Sequence, residues 1–166
     1  MLDEATSDSA RPESLDRLAD LVSVASDFGV VWIAVSIAQV LLGRASAATA
    51  VRRLVAAGVT SLALTRVLKH HFAIPREPSP TASTLARAPS SSGFPSGHTL
   101  AAFTSALVIP SGGRARTAAI GFAALVAWAR VRVGHHRPAD VVAGAAVGSL
   151  AGAGLVIAGT RWRRSA

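Results

Sequence analysis

The sequence predicts an all-α protein, an integral membrane helical bundle, and three observations lead there. Of 166 residues, 51% are apolar and 16% charged, a balance more hydrophobic than that of an ordinary soluble domain. The apolar residues collect into five runs separated by more polar stretches. Acidic residues crowd into the N-terminal stretch, and only Glu77 and Asp140 follow Asp27. A backbone in hydrocarbon must satisfy its hydrogen bonds within itself, so each apolar run reads as a helix.

The elements follow in order. Residues 1–13 are polar and expected to be disordered. In "SLDRLADLVSVAS", residues 14–26, Leu15, Leu18, Leu21, Val22 and Ala25 recur at helical spacing with acids on the other side. That pattern predicts an N-terminal amphipathic helix at the membrane interface. About five membrane-embedded helices come next, near residues 28–43, 47–68, 97–110, 115–133 and 138–160. Several fall short of the ~20 residues needed to cross ~30 Å of hydrocarbon, which calls for a thin or tilted bundle. Gly144, Gly148 and Gly152 form a small-residue stripe suited to close helix packing. Trp162 among Arg161, Arg163 and Arg164 reads as an interfacial anchor. The domain organisation is a single membrane domain over 14–160, followed by a basic tail at 161–166. Between the second and third helices, "REPSPTASTLARAPSSSGF" is longer than a helix connection needs, which leaves a lid or plain disorder open.

A formal charge of +8 raises the question of nucleic acid, but the basic residues sit singly or in pairs between apolar runs, with no basic helix face and no interleaved aromatics. Nucleic acid is therefore not an expected partner; the bilayer is. With no cysteine, disulfides and thiolate metal sites are excluded. The acidic N-terminus lacks the basic region of a cleaved signal peptide. Five crossings put the loop at 69–94 and the loop at 133–138 on one side. The other side receives Arg44, Arg52, Arg53, Arg114, Arg116, Arg161, Arg163 and Arg164. With Lys69, Arg76 and Arg130 set aside as site residues, the balance of basic loops expects the two site-bearing loops on the extracytoplasmic face.

Three stretches hold most of the unexplained polar residues: "KHHFAIPREP" at 69–78, "FPSGH" at 94–98 and "ARVRVGHHRPAD" at 129–140. All emerge on the same side and can meet in one site. His136 and Asp140 are four apart and share a face if helical. An aspartate on one imidazole nitrogen fixes the tautomer and leaves the other free as base or nucleophile. Lys69, Arg76 and Arg130 are permanent cations without matching acids, apart from Glu77; converging, they would clamp a phosphoryl group. In "PSGH", Ser96 is a good N-cap and Gly97 lets the backbone approach closely, so the helix starting there offers free N–H groups to an anion. His98, in its first turn, stands where it can protonate a leaving oxygen.

These residues resemble the type 2 phosphatidic acid phosphatase (PAP2) family, which shares its core with vanadium haloperoxidases. The family signature reads KxxxxxxRP, PSGH and SRxxxxxHxxxD. Lys69 and Arg76 keep the first spacing, Pro95 to His98 match the second, and Arg130, His136 and Asp140 match the third. Glu77 intervenes before Pro78, and Ala129 stands where the family has serine.

The resemblance implies a membrane lipid phosphatase working without metal or other cofactor. It makes His136 the nucleophile, Asp140 its orienting partner and His98 the acid, then the base. Lys69, Arg76, Ser96, Gly97 and Arg130 would hold the phosphate oxygens. Small size and an Ala/Arg-rich composition are similar to bacterial inner-membrane members acting on polyprenyl carriers, among them phosphatases of decaprenylphosphoryl-5-phosphoribose phosphate. Undecaprenyl diphosphate, phosphatidic acid and phosphatidylglycerophosphate are the alternative substrates. A non-catalytic lipid-phosphate binder or transporter is the alternative outside enzymes.

Overall fold

The computed structural model describes residues 13–75 and 92–165. The expected disorder before residue 13, residues 76–91 with Arg76, Glu77 and Pro78, and the Trp162 side chain lie outside the described residues. Among the described residues there are six α-helices: α1 (Glu13–Ala25), α2 (Val30–Leu41), α3 (Ala47–Phe72), α4 (Gly97–Val108), α5 (Gly113–Arg132) and α6 (Pro138–Ser165). A single 3-10 turn at Asp27–Gly29 joins α1 to α2. No strand occurs among the described residues. The all-α bundle is as the sequence predicts, with α3 and α6 running four or five residues beyond the expected ends. Lys69, His70 and His71 therefore sit on the last turn of α3 rather than after it.

By length and composition α3 and α6 can each cross a membrane, and α1 with α2, bent by 69° at their junction, can together form a third span. The bend falls at Gly29, whose φ of 70° is the left-handed conformation that favours glycine. Helix α4, with 12 residues, is only about 18 Å long at ~1.5 Å per residue. It lies inside the bundle, packed against α3, α5 and α6. Leu100, Ala102, Ala106 and Ile109, in and just after it, are buried, together with Ala57, Ala123, Val126 and Ala129. Large apolar side chains instead face outward on every side, including Ile37, Val55, Val59, Val142, Leu150 and Ile157. Small residues inside and large ones outside is what a lipid solvent favours, since helix contacts there depend on close backbone approach.

The glycine stripe of α6 makes that contact with α4. A Cβ on Gly144 would stand 2.6 Å from the Ser96 carbonyl oxygen, and one on Gly152 would stand 2.9 Å from Leu107 Cβ. At Gly148 it would collide with the Leu100 carbonyl. Only glycine lets α6 lie this close, and the same contact fixes the start of α4.

Helix α1 turns its leucines outward and its small residues inward. Leu15, Leu18, Leu21 and Val24 are exposed, whereas Ala19, Val22 and Ser23 are buried against α5. Asp16, on the acidic side, pairs with Arg132 at 2.8 Å. In lipid the small, polar face turns inward and the leucines face the hydrocarbon, as an amphipathic helix at a membrane requires.

The end of the bundle opposite the PSGH turn is closed by side chains. Gln39 donates through Nε2 to the Ile109 carbonyl at 3.0 Å and accepts from Ser111 N–H at 2.6 Å. Arg53 donates to the same carbonyl and to Ser111 Oγ.

Candidate active site

Helix ends bring the site together. Helix α5 finishes at Arg132, and Gly134, at φ 71°, turns the chain back so that the N–H groups of His135 and His136 both donate to the Arg130 carbonyl at 3.1 Å. His136 is thus fixed in the turn before α6, not on a helix with Asp140 as the four-residue spacing supposes. Asp140 lies in the first turn of α6; its Oδ2 accepts from Arg137 N–H at 2.9 Å and stands 3.4 Å from His136 Nδ1. The pair forms because the turn curls back over the helix start.

The PSGH turn is held against the same helix. Ser96 N–H donates to the Asp140 carbonyl at 3.0 Å, tying the start of α4 to the start of α6. Ser96 occupies the N-cap position, but its hydroxyl makes no cap bond; it accepts from Thr99 Oγ1 at 3.0 Å and is fully buried. The first helical bond of α4 runs from Leu100 N–H to Ser96 O. The N–H groups of Gly97, His98 and Thr99 therefore have no acceptor within the helix, the arrangement in which a helix start receives an anion.

The cations arrive from two other helices. Lys69, on the last turn of α3, donates through Nζ to the Ser92 carbonyl at 2.8 Å. The returning chain is also tied down by Gly93 N–H on the Ile74 carbonyl and by edge-to-face contact of Phe72 with Phe94. Arg130, 2% exposed at the end of α5, donates to Ser23 Oγ at 2.6 Å. Ala129 is fully buried. Arg76 lies outside the described residues.

Lys69, Gly97, His98 and His136 line one cavity of about 620 Å³ between α2, α3 and α4. Ser96 and Arg130 are buried and are not among its lining residues. The remainder of the lining is mostly apolar, with Trp32, Ile33, Leu54, Leu62 and Ala101. His70 and His71 are exposed on α3, and among the described residues no three His, Asp or Glu side chains form a metal-holding group.

Two partners escaped the sequence reading. Asp27 Oδ1 stands 2.9 Å from His98 Nε2, and Ser23 meets Arg130. Asp27 looked like one more member of the acidic N-terminal stretch; its place just ahead of an apolar run was the one available signal. Ser23 carried none.

Helix ends thus gather two histidines, a carboxylate and cations at one end of an all-helical membrane fold, beside a mostly apolar cavity. Residues 50–164 match the PAP2 superfamily, and the chain belongs to it. Its fold is similar to that of LpxE from Aquifex aeolicus, with a TM-score of 0.63 and 25% identity over 87% of this chain and 86% of that one. It is likewise similar to a transmembrane PAP2-type phosphatidylglycerolphosphate phosphatase from Bacillus subtilis, with a TM-score of 0.68 and 20% identity over 93% of this chain and 80% of that one. At the latter identity the likeness is one of fold. No curated protein matches the chain. Family and fold together support a membrane lipid phosphatase.

Proposed function

We propose that the protein hydrolyses the phosphomonoester, or diphosphate, of a polyprenyl-linked substrate such as decaprenylphosphoryl-5-phosphoribose phosphate, through a phosphohistidine and without a metal. The observation that carries this reading is the shared cavity. Its polar end holds His98, His136, Lys69 and Gly97, while its α3 wall runs from Lys69 to Leu54. The fifteen steps between those two residues span about 22 Å at ~1.5 Å per step, room for a hydrocarbon tail below a headgroup at the helix ends. A soluble phosphate ester would leave the apolar walls unused.

In this mechanism Asp140 holds His136 through Nδ1, so Nε2 attacks phosphorus while the bond from phosphorus to the lipid oxygen breaks. His98 gives its proton to the departing alkoxide, then takes one from the water that cleaves the N–P bond. Phosphate leaves and both histidines return to their starting states. Lys69, Arg130 and the start of α4 at Ser96 and Gly97 balance charge on the phosphate oxygens; Arg76 joins them by its spacing in the sequence. The unit doing this is one membrane domain over 14–160, its site on the extracytoplasmic face of the bacterial inner membrane.

The substrate is tested by kcat/KM in detergent with EDTA over polyprenyl phosphates and diphosphates, phosphatidic acid, phosphatidylglycerophosphate and a soluble monoester. A polyprenyl substrate is expected to exceed the soluble ester at least about 100-fold, close to 3 kcal/mol of tail binding used in the transition state. Equal values would contradict the lipid-tail reading. Preference for a glycerolipid would move the substrate class and leave the chemistry standing.

A further inference from the structure

The family match begins at residue 50, yet the segment before it sends three polar groups to the catalytic end of the bundle. Asp16 accepts from Arg132, Ser23 accepts from Arg130, and Asp27 meets His98 across 71 residues of sequence. We propose that Asp27 is a positioning residue for the acid step: it holds His98 through Nε2 and stabilises its imidazolium form, so that Nδ1 delivers the proton. The proposal rests on His98 being the acid in the reaction above.

The geometry supports orientation over mere attachment. At 2.9 Å the contact has charge-assisted length. Both side chains keep appreciable exposure, 28% for His98 and 39% for Asp27, and ion pairs this open to solvent contribute little to stability, typically ~0–1 kcal/mol. What such a pair can do is fix a ring. The 3-10 turn at Asp27–Gly29 sets the carboxylate opposite the first turn of α4, and Gly29 lets α2 leave at the sharp angle that makes this possible. Nδ1 of His98 has no protein partner among the described residues, and the residue lines the cavity.

The site then holds two histidine–carboxylate pairs built from different elements. Asp140 of α6 serves His136 and Asp27 of the α1–α2 junction serves His98. In the first step the doubly protonated His98 loses its Nδ1 proton to the alkoxide and keeps Nε2–H on Asp27. In the second, Nδ1 takes a proton from water and the imidazolium forms again beside the carboxylate. Asp27 gains and loses no proton in either step.

Leaving-group dependence separates this role from a structural one, because a nitrophenolate departs without help from an acid whereas an alkoxide does not. Alcohol release in the first turnover is followed with an alkyl phosphate and with a nitrophenyl phosphate carrying the same alkyl tail. Asp27→Asn is expected to slow release of the alkyl alcohol by about 30-fold or more, within the range typical of general-acid catalysis, and of the nitrophenol by less than about 3-fold. Asp27→Glu is expected to restore most of the alkyl rate. Asp16→Asn, which loosens α1 without touching His98, is expected to slow both substrates alike or neither.

Equal losses on the two substrates for Asp27→Asn would make Asp27 a docking contact and overturn the proposal. So would unchanged rates on both, or a leaving-group-dependent loss in Asp16→Asn. Wild-type protein releasing neither alcohol would instead remove the phosphatase reading itself.

Discussion

Gly144 of α6 lies against the carbonyl oxygen of Ser96, so close that a Cβ there would stand 2.6 Å from it. Helix packing and site geometry are one contact in this molecule. The oxygen belongs to the residue whose N–H is held by Asp140, and its neighbours are Gly97 and His98.

Gly144→Ala is accordingly expected to push the PSGH turn away from His136. Overpacking of this kind costs ~1–3 kcal/mol, and a shift of the reacting groups should lower kcat by about tenfold or more. Gly154→Ala is the control, since nothing lies within 4 Å of a Cβ there; its activity should match wild type. Thermal midpoints and turnover of both variants in detergent check this.

Asp140→Asn keeps the size of the side chain but weakens its hold on His136. Loss of ring orientation and of imidazole basicity should lower kcat by about 100-fold or more, with KM little changed. A fall in affinity at constant kcat would show that Asp140 serves binding instead.

Arg130→Lys tests shape against charge. Arg130 is 2% exposed and donates to Ser23, and a lysine keeps the charge but loses the planar fork. Turnover is expected to drop by about 100-fold, the order seen on losing one oxyanion donor, at near-unchanged thermal midpoint. Full activity would remove Arg130 from the phosphate site.

Gln39→Leu is expected to do the reverse. Gln39 closes the far end of the bundle by bonding Ile109 and Ser111, so its loss leaves a buried carbonyl and an N–H with fewer partners, at about 1–3 kcal/mol. The thermal midpoint should fall while turnover per folded molecule stays at the wild-type level.

Local patterns in the chain carried much of this architecture and little of the long-range pairing. The PSGH turn and the His136–Asp140 pair were legible because each is short and its partners are neighbours in sequence; only the backbone joining His136 to Asp140 differed, a turn in place of a helix. The stripe of Gly144, Gly148 and Gly152 was legible because its four-residue period means close packing whatever the partner, although the partner, α4, was not named by it. The leucine stripe of α1 was legible from its helical spacing, whereas the helix that its small face packs against, α5, was not. Asp27 and Ser23 find their partners across 71 and 107 residues, with no period or motif to announce them. Their contacts exist only because Gly29 bends the chain and α1 docks on α5.

The central claim, that His136 carries the phosphoryl group between lipid and water, is tested most directly by trapping it. Wild-type protein in detergent and EDTA would be mixed with lipid substrate labelled in the phosphate, quenched within one turnover, and the protein-bound label assayed for stability in acid and base. The account predicts label that survives alkali, is lost in acid, maps to His136 and is absent from His136→Ala, which also releases no phosphate. Phosphate release by His136→Ala at the wild-type rate would contradict it.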